Sequence, residues 1–295
     1  MKSGFVSIIG RPNVGKSTLL NTIIKEKVAI TTDKAGTTRN LIQGVYTDDN
    51  VQIVFVDTPG IHKPVSKLGS KLNSQAYYSV NDVDIVLFII DGSTKLGSGD
   101  MFVIDKLKSI NKPVFLIINK IDELSNDEIL LKINEYKDLY DFVEVVPVSA
   151  LKDDNIDRLI KVLTNYLPDN VKYFPDEEST SAPLEFRIAE IVREKVMELT
   201  EEEVPHSVTT KMISYKDKKE HIEIGVDIIV DRDNLKKIII GKGGVKLKEI
   251  GMKSRSDIEK LLGKQVYLEL YVKTIKKWRD KEKHLSELGF NDFNV

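Results

Sequence analysis

The sequence predicts an α/β domain with a mostly parallel sheet, followed by a smaller α+β domain. Over roughly the first 170 residues, short apolar runs typical of buried strands alternate with segments of helical periodicity. After a stretch rich in proline, serine and acidic residues, at 168–183, the order of elements changes. The chain of 295 residues is long enough for two cores. We therefore expect a first domain at 1–168, a linker at 169–182 and a second domain with a C-terminal helix at 183–295.

Five apolar runs predict parallel-sheet strands in the first domain, namely FVSIIG, VQIVFVD, DIVLFIID, PVFLIINK and VEVVPVSA. The predicted helices between and after them are GKSTLLNTIIKE, GDMFVIDKLKSI, SNDEILLKINEYKDLY and IDRLIKVLTNYL. The segment LIQGVYTDDNVQIVFVD breaks the alternation, because it predicts a hairpin that turns at Asp48–Asn50. One strand of this sheet is therefore expected to be antiparallel.

The second domain follows a different pattern. A helix, LEFRIAEIVREKVMELT, precedes two alternating strands, HSVTTKMISY and HIEIGVDIIVD. A short helix, a glycine-rich loop, a basic helix and the strand QVYLELYVK complete an α–β–β–α–α–β order. Trp278 is expected to pack the C-terminal helix onto this domain, although it could also stack on a base.

The composition excludes several classes of protein. The chain has no cysteine, so disulfides, cysteine-ligated zinc and a thiol nucleophile are excluded. A strand-like run begins almost at the N-terminus, which predicts no signal peptide. The apolar run Ile85–Ile90 is far too short to span a bilayer and fits a buried strand. We expect a soluble protein in the cytoplasm.

A net charge of −2 hides a strong asymmetry. From Arg232 to Lys281 there are 15 Lys and Arg residues against 6 Asp and Glu, so that the rest of the chain is acidic. A basic block in an acidic protein is typical of a polyanion-binding surface, but a solvated charged face would have the same composition. The charge alone leaves both interpretations open.

The segment GRPNVGKS, Gly10–Ser17, matches G-x-x-x-x-G-K-[ST] and lies between a predicted strand and a predicted helix. Its glycines permit a tight loop whose backbone N–H groups surround phosphate oxygens, and the helix N-terminus adds positive potential. Lys16 can neutralise charge on the β- and γ-phosphates, and Ser17 can ligate Mg²⁺. The sequence therefore predicts a nucleotide-binding phosphate loop at this position.

Two more segments are expected to contact the γ-phosphate and its metal. DTPG, Asp57–Gly60, ends a buried strand, so that Asp57 can hold Mg²⁺ through water and the Gly60 N–H can contact the γ-phosphate. The polar segment TTDKAGTTRN, Thr31–Asn40, is here called the switch loop, because it suits a segment that orders and disorders with nucleotide state. Thr38, rather than the threonine before it, is expected to complete the Mg²⁺ shell.

Two motifs predict a guanine base. NKID and SAL each follow a predicted strand, so both belong to one crevice at the carboxyl edge of the sheet. The Asp122 carboxylate can accept hydrogen bonds from guanine N1–H and N2–H₂, a donor pair that adenine lacks. Asn119 would brace the loop and contact N7, the Lys120 stem would pack on the base, and the Ala150 N–H would reach O6. GTP and GDP are therefore the expected ligands.

The predicted nucleotide-binding residues are Gly10, Arg11, Pro12, Asn13, Val14, Gly15, Lys16, Ser17, Thr18, Asp57, Thr58, Pro59, Gly60, Asn119, Lys120, Asp122, Ser149, Ala150 and Leu151. Lys16, Thr38 and Gly60 are assigned to catalysis. Ser17, Thr38 and Asp57 are assigned to Mg²⁺.

A second glycine-rich loop lies in IIIGKGGVKLKEI, Ile238–Ile250. Between two helices, G-x-x-G is the loop of a KH domain, which lets a nucleic-acid backbone approach while about four nucleotides occupy the adjacent groove. Apolar residues on both sides, from Ile238 to Ile250, are expected to form core and groove floor, although a helix C-cap would also explain the glycines. The predicted RNA-binding residues are Ile240, Gly241, Lys242, Gly243, Gly244, Lys246, Lys248, Lys253 and Arg255.

The motifs of roughly the first 165 residues resemble those of translation-factor-type GTPases. Ras-like members have a glutamine just after DTxG that orients water, whereas this chain has Ile61. The resemblance therefore implies a subgroup that hydrolyses GTP slowly and finds assistance elsewhere. Asn13 is similar to the asparagine by which some relatives hold K⁺ near the phosphates, and its alternative is a loop residue bonding its own backbone.

With the KH pattern added, the whole chain resembles the Era family of bacterial ribosome-assembly GTPases, through GRPNVGKSTLLN, TTRN, VDTPGIHKP, NKID, VPVSAL and IIVDRDNLKKIIIGKGG. The resemblance implies binding of single-stranded RNA near the 3′ end of the small-subunit ribosomal RNA and a role in maturation of the 30S subunit. One departure is Gly36, where many members have glutamine. A monomer is expected, with weak peripheral membrane contact through the basic block left open.

Two other functions compete with ribosome assembly. One is a GTPase that assists RNA modification, although such relatives carry an extra catalytic domain or a reactive cysteine that this chain lacks. The other is an RNA-binding scaffold whose nucleotide only stabilises the fold. The resemblance and the two-domain layout favour a switch in which bound GTP orders the loops and opens the KH groove to RNA.

Overall fold

A computed structural model describes residues 1–290, and the predicted second domain's last residues, 291–295, lie outside the described part. The elements are, in chain order, β1 (Lys2–Ile9), α1 (Lys16–Ile24), β2 (Ile42–Thr47), β3 (Val51–Asp57), α2 (Lys67–Tyr78), β4 (Ile85–Asp91), α3 (Ser98–Leu107), β5 (Val114–Asn119), α4 (Asn126–Tyr136), β6 (Glu144–Pro147), α5 (Ile156–Tyr166), α6 (Leu184–Glu198), α7 (Glu203–Ser207), β7 (Thr209–Asp217), β8 (Ile222–Val230), α8 (Asp233–Ile240), α9 (Val245–Leu262), β9 (Val266–Thr274) and α10 (Glu282–Glu287).

The first sheet has the strand order β2-β3-β1-β4-β5-β6. All its strands are parallel except β2, which pairs antiparallel with β3 as the hairpin pattern predicted. Helices α1 and α5 pack on one face, and α2, α3 and α4 pack on the other. The fold-class prediction is confirmed, and the motifs that follow β1, β3 and β5 lie at one edge of the sheet.

Helix α2 has no counterpart in the sequence prediction. Its segment, KLGSKLNSQAYY, has buried aliphatic side chains only at Leu68, Leu72 and Ala76, spaced by four residues. So thin an apolar stripe gives a weak helical pattern. The helix begins where the Ser66 hydroxyl accepts a hydrogen bond from the Gly69 N–H, an N-cap that the sequence allowed but did not require.

The second sheet has the order β7-β8-β9, with β8 antiparallel to β7 and parallel to β9. Helices α6, α8 and α9 pack their apolar side chains against it in a separate core. The predicted α–β–β–α–α–β order is confirmed, with the short α7 added between α6 and β7. No helix within residues 1–290 is long and apolar enough to cross a membrane.

The two sheets are joined by a small apolar cluster. Leu68 and Leu72 of α2 pack with Ile229, Trp278, Leu285 and Phe290 from the second half of the chain. Trp278 is fully buried and donates its indole N–H to the Ser207 carbonyl at 2.9 Å, so it packs rather than offering a stacking surface. The helix that follows DTPG is therefore in contact with the C-terminal segment.

The predicted linker lies along the first sheet. Isolated bridges join Lys2 to Asp169 and Gly44 to Thr180. Between them, the Gln52 side chain accepts a hydrogen bond from the Tyr173 N–H at 2.7 Å. These contacts attach the linker to the first sheet at both of its ends. The domain limits at 168 and 183 stay a prediction.

Candidate nucleotide site and nucleic-acid groove

The phosphate loop connects β1 to α1 and requires glycine at its end. Gly15 has φ of 97°, and a Cβ placed on it would lie 2.2 Å from Asn119 Nδ2. That amide nitrogen donates to the Val14 carbonyl at 2.8 Å. The predicted base-side asparagine is therefore fastened directly to the phosphate loop, as its bracing role required.

Lys16 lies inside this loop and is only 6% exposed. Its ammonium group donates to the Gly10 carbonyl at 3.3 Å and the Arg11 carbonyl at 2.9 Å. Burial lowers the pKa of Lys16 to about 8, with attraction to Asp57 opposing the shift. A phosphate oxygen in the loop would stabilise the charged lysine, so the site favours an anionic ligand.

The three residues assigned to Mg²⁺ lie together. Ser17 Oγ donates to Asp57 Oδ2 at 2.6 Å, and the Ser17 and Thr38 hydroxyls are 2.8 Å apart. Thr38 also donates to Asp57 Oδ2 at 3.3 Å. Burial raises the pKa of Asp57, although Lys16 and the two hydroxyls oppose the shift.

Two observations fit this group to Mg²⁺. No other side chain among residues 1–290 hydrogen-bonds the buried Asp57 Oδ1, so this oxygen is open to a cation or its water. Hydroxyl and carboxylate oxygens are hard ligands, and Mg²⁺ takes few of them from protein when phosphates and waters supply the rest. The geometry also separates the two threonines, because the Thr37 hydroxyl instead donates to the Lys34 carbonyl at 2.7 Å.

The DTPG segment packs directly on the phosphate loop. A Cβ on Gly60 would lie 2.8 Å from the Pro12 nitrogen, so glycine is needed for this approach. The Ile61 N–H donates to the Gly10 carbonyl at 3.0 Å, and the Ile61 side chain is fully buried. A buried aliphatic side chain cannot orient an attacking water. Next to it, His62 Nδ1 lies 2.9 Å from the Gly60 carbonyl.

At the base end, Ser149 Oγ donates to Asp122 Oδ1 at 2.5 Å. The Ala150 N–H donates to Asn119 Oδ1 at 2.9 Å, so here it is directed at the asparagine. Lys120 Nζ is ion-paired with Asp91 at 2.6 Å. The NKID and SAL segments are therefore joined directly to each other at the predicted position of the base.

Some predicted nucleotide residues direct their side chains elsewhere. Arg11 donates to Asp100 Oδ1 at 3.0 Å, Thr58 donates to the Ile8 carbonyl at 2.8 Å, and Leu151 is 74% exposed. A cavity along the phosphate loop is lined by Pro12, Asn13, Gly15, Lys16, Ser17, Thr18, Ile30, Thr31, Thr32, Gly36, Thr37, Thr38 and Gly60. Six of these thirteen residues come from the switch loop and the residue before it, and of these six only Thr38 was assigned a role individually from the sequence.

Asn13 has a positive φ of 65°, and its amide donates to the Asp33 carbonyl at 2.8 Å. The side chain therefore bonds the switch loop and not its own loop. This bond uses the amide nitrogen and does not test whether the side chain holds K⁺, so the K⁺ assignment stays a prediction.

The second glycine loop lies between α8 and α9. Gly241, Gly243 and Gly244 have φ of 73°, 63° and 79°, a conformation that residues with a Cβ rarely adopt. Lys242 and Gly243 are exposed at the tip. The glycines thus form a protruding loop, which exceeds what a simple helix C-cap needs.

A groove of about 440 Å³ adjoins this loop, between α9 and β9. It is lined by Gly244, Leu247, Lys248, Gly251, Met252, Arg255, Val266, Tyr267, Leu268 and Leu270. Of the predicted RNA-binding side chains, Lys248 and Arg255 line the groove, whereas Lys253 pairs with Glu249 at 3.0 Å outside it. The spacing of Gly244, Lys248, Gly251 and Arg255 follows one helix face, a signal that would have identified Gly251 as a groove residue and placed Lys253 outside the groove. The assignment of Lys253 to RNA binding stays a prediction.

Two of the apolar predictions for this region are wrong. Ile238 is 44% exposed and Val245 is 69% exposed, so neither belongs to the core. Ile239 and Ile250 are fully buried, as predicted, and Ile240 is partly buried against the same core. Ile238 is exposed because the buried stripe of α8 runs through Leu235 and Ile239, four residues apart.

Comparison with known proteins agrees with this geometry. Residues 5–120 match the family described as 50S ribosome-binding GTPase, and residues 203–279 match the KH domain family. A solved structure of a Tyr-to-Ala variant of Aquifex aeolicus Era bound to GDP·AlF₄⁻ is 43% identical, with a TM-score of 0.95, over 98% of this chain and 99% of that chain. The chain belongs to the Era family. The resemblance inferred from the motifs is thus confirmed, and this Era-family protein is a GTPase with a C-terminal KH domain.

A second solved structure gives the same identity, coverage and TM-score. It is described as Era in complex with MgGDPNP and nucleotides 1506–1542 of 16S ribosomal RNA. In that relative, Mg²⁺, a GTP analogue and ribosomal RNA are therefore bound together.

Proposed function

We propose that this Era-family GTPase binds and hydrolyses GTP with Mg²⁺, binds single-stranded RNA near the 3′ end of the small-subunit ribosomal RNA, and assists maturation of the 30S subunit. The observation that carries the proposal is full-length similarity, at 43% identity, to an Era bound to Mg²⁺, a GTP analogue and this RNA. The phosphate loop, the oxygens of Ser17, Thr38 and Asp57, and the groove beside the second glycine loop support the proposal.

For the nucleotide, we propose the residues assigned from the sequence. Lys16 and the loop N–H groups would neutralise phosphate charge, and Asp122 would select guanine. Mg²⁺, held by Ser17, Thr38 and Asp57, would neutralise charge that develops on the β- and γ-phosphate oxygens. Because Ile61 is buried and aliphatic, water is not oriented by this side chain, which supports slow intrinsic hydrolysis. K⁺ held through Asn13 stays part of the proposal.

For RNA, the exposed glycine tip would let the phosphate backbone approach without a Cβ in the way. Lys248 and Arg255 border the groove and would face the backbone, while Met252, Leu268 and Tyr267 offer apolar surface to bases. A cytoplasmic location, a monomeric state and weak membrane contact through the basic block stay predictions.

The proposal is tested by RNA binding in two nucleotide states. Affinity for the 3′-terminal segment of small-subunit ribosomal RNA would be measured at fixed salt, with GDP and with a non-hydrolysable GTP analogue. Tight binding with the analogue and weak binding with GDP would support GTP-gated binding. Equal affinity in both states would refute the gating.

GTP turnover separates the remaining alternatives. Hydrolysis that RNA accelerates supports a switch, whereas bound nucleotide without turnover would indicate a scaffold. A role as an accessory GTPase in RNA modification is less favoured, because the sequence contains no cysteine that could act as a nucleophile in such a reaction.

A further inference from the structure

We propose that Arg193 and Arg39 are positioning residues for GTP hydrolysis, through which the KH side of the molecule holds Thr38 at the Mg²⁺ position. The inference rests on the proposed function, because it takes Thr38 as the residue that meets the metal in the GTP state. It assigns a role in the chemistry to α6 and α7, two helices outside the GTPase sheet.

The first contact is at the beginning of the switch loop. Glu194 of α6 is 1% exposed, and its Oε1 accepts a hydrogen bond from the Thr31 N–H at 2.9 Å. Its Oε2 accepts one from Lys27 Nζ at 2.5 Å. A buried carboxylate with this many donors is well satisfied and fixes where the loop starts.

The second contact is on the peptide bond that leads into Thr38. Arg193 of α6, also 1% exposed, donates from Nη2 to the Thr37 carbonyl. The guanidinium is fixed in turn by Glu190, whose Oε1 accepts from Nε at 2.7 Å. Because the Thr37 carbonyl and the Thr38 N–H share one rigid peptide plane, this bond restricts the backbone orientation of Thr38.

The third contact is immediately after Thr38. Arg39 is 4% exposed and donates to the Val208 carbonyl at 2.5 Å and the Pro205 carbonyl at 2.8 Å. These carbonyls belong to the C-terminal end of α7, where a cation is favoured. These two hydrogen bonds fix the side chain of Arg39, the residue that follows Thr38, against the second half of the chain.

Thr38 is thus held between two domains. Its hydroxyl contacts Ser17 and Asp57 on the GTPase side, while the residues before and after it are bound by α6 and α7. GDP has no γ-phosphate for Thr38 to report on, so GDP binding should not need this arrangement. GTP hydrolysis should need this arrangement, because the Thr38 hydroxyl must then lie at the metal.

The test compares Arg193→Met with Arg187→Met. Arg187 is the matched control, since it lies on the same helix and pairs across the same boundary with Glu26 at 2.7 Å, without bonding the switch loop. For Arg193→Met we expect kcat for GTP to fall about tenfold to a hundredfold, as for a small misplacement of a catalytic group. The Mg²⁺ concentration for half-maximal rate should rise, the Kd for GDP should stay within about twofold, and Arg193→Lys should recover part of the rate.

A spectroscopic readout follows the same contact. Trp278 is the single tryptophan of the chain, and its ring centroid lies 6.0 Å from the Arg39 guanidinium carbon. Its emission should differ between the GDP and GTP-analogue states of the natural protein, and this difference should shrink in Arg193→Met. If Arg193→Met does not fold, Arg39→Lys, which keeps the charge but loses the two-carbonyl fork, serves the same comparison.

The proposal is overturned if Arg193→Met hydrolyses GTP at the normal rate with normal Mg²⁺ dependence. It is also overturned if Arg187→Met loses as much, because the cause would then be general loosening of the domain boundary. Failure of the natural protein to hydrolyse GTP would be a different result, since it would reject the proposed function itself and the inference with it.

Discussion

Replacement of Gly243 by aspartate should weaken RNA binding through charge alone. Gly243 lies at the exposed tip of the loop with φ of 63°, and a Cβ there would meet no atom within 4 Å. No steric clash is therefore expected. Left-handed backbone costs an ordinary residue roughly 1–2 kcal/mol, and less for aspartate and asparagine. Asparagine shares the size and backbone tolerance of aspartate, so Gly243→Asn is the matched control.

The size of the effect follows from the distance at which phosphate would pass. A carboxylate roughly 5 Å from a phosphate is repelled by about 1–3 kcal/mol for effective dielectric constants between 80 and 20. This corresponds to about a 5- to 150-fold loss of affinity for Gly243→Asp relative to Gly243→Asn. The added negative charge should also make the negative slope of log K against log salt shallower by about 0.7, the value for one phosphate of a single strand.

Fluorescence anisotropy with labelled RNA, titrated at several salt concentrations in the presence of a GTP analogue, measures both quantities. Equal losses in the aspartate and asparagine variants would mean that loop conformation, not phosphate contact, controls binding. An unchanged salt slope would place the RNA backbone away from this loop. Either result would refute the role assigned to the glycine tip.

Three further predictions concern the nucleotide site and the second core. Thr38→Ala should lower kcat for GTP at least tenfold while GDP affinity changes less than about twofold, and an equal loss of GDP affinity in a fluorescent-nucleotide titration would contradict this. Asp122→Asn should weaken GTP and GDP alike by about a hundredfold, because guanine donors lose their carboxylate acceptor; unchanged competition by ATP is the control. Although burial opposes it, hydrogen bonds from Lys260 and Lys195 hold the pKa of Asp257 below its usual range. Asp257→Asn should therefore lower the free energy of unfolding by about 1 kcal/mol at pH 6, after allowance for solvent screening. Urea titrations should show this difference shrinking as pH falls below about 4 and through the lower pKa of the folded state; a difference as large at pH 2 as at pH 6 would exclude the ionic contribution.

The glycines of the phosphate loop and of DTPG could be predicted because the folded structure leaves no room for a side chain at these positions. Gly15 must lack a Cβ to accommodate Asn119, and Gly60 must lack one to approach Pro12, so the motif spacing contains the tertiary contact. The same holds for the glycine loop of the second domain, where a left-handed backbone selects glycine. Short motifs of this kind are informative without knowledge of the rest of the chain.

The contacts of the switch loop were not predictable in this way. Arg193 and Thr37 are separated by 156 residues, and their bond depends on how the two domains dock. The helical pattern was also too weak at α2, where Leu68 and Leu72 pack against side chains from the second half of the chain. In α8, a continuous apolar run concealed the helical stripe, so that Ile238 was expected to be buried although it faces solvent. In each case the burial of a side chain depends on how a distant element packs, which the local sequence does not contain.

Because the linker is bonded to the first sheet, only a very short free segment connects the two halves of the molecule. Thr180 Oγ1 donates to the Gln43 carbonyl at 2.6 Å, and Ser181 Oγ donates to the Gln43 side chain at 2.7 Å. Only two residues, 182 and 183, then separate this anchor from the first turn of α6, a reach of roughly 7 Å. A rotation of the second domain relative to the first must therefore take place at residues 182 and 183, unless the linker detaches from β2. Strand β2 begins two residues after the switch loop. The linker is bonded to Gln43 of this strand, so a movement of the switch loop acts directly beside the point where the second domain is attached.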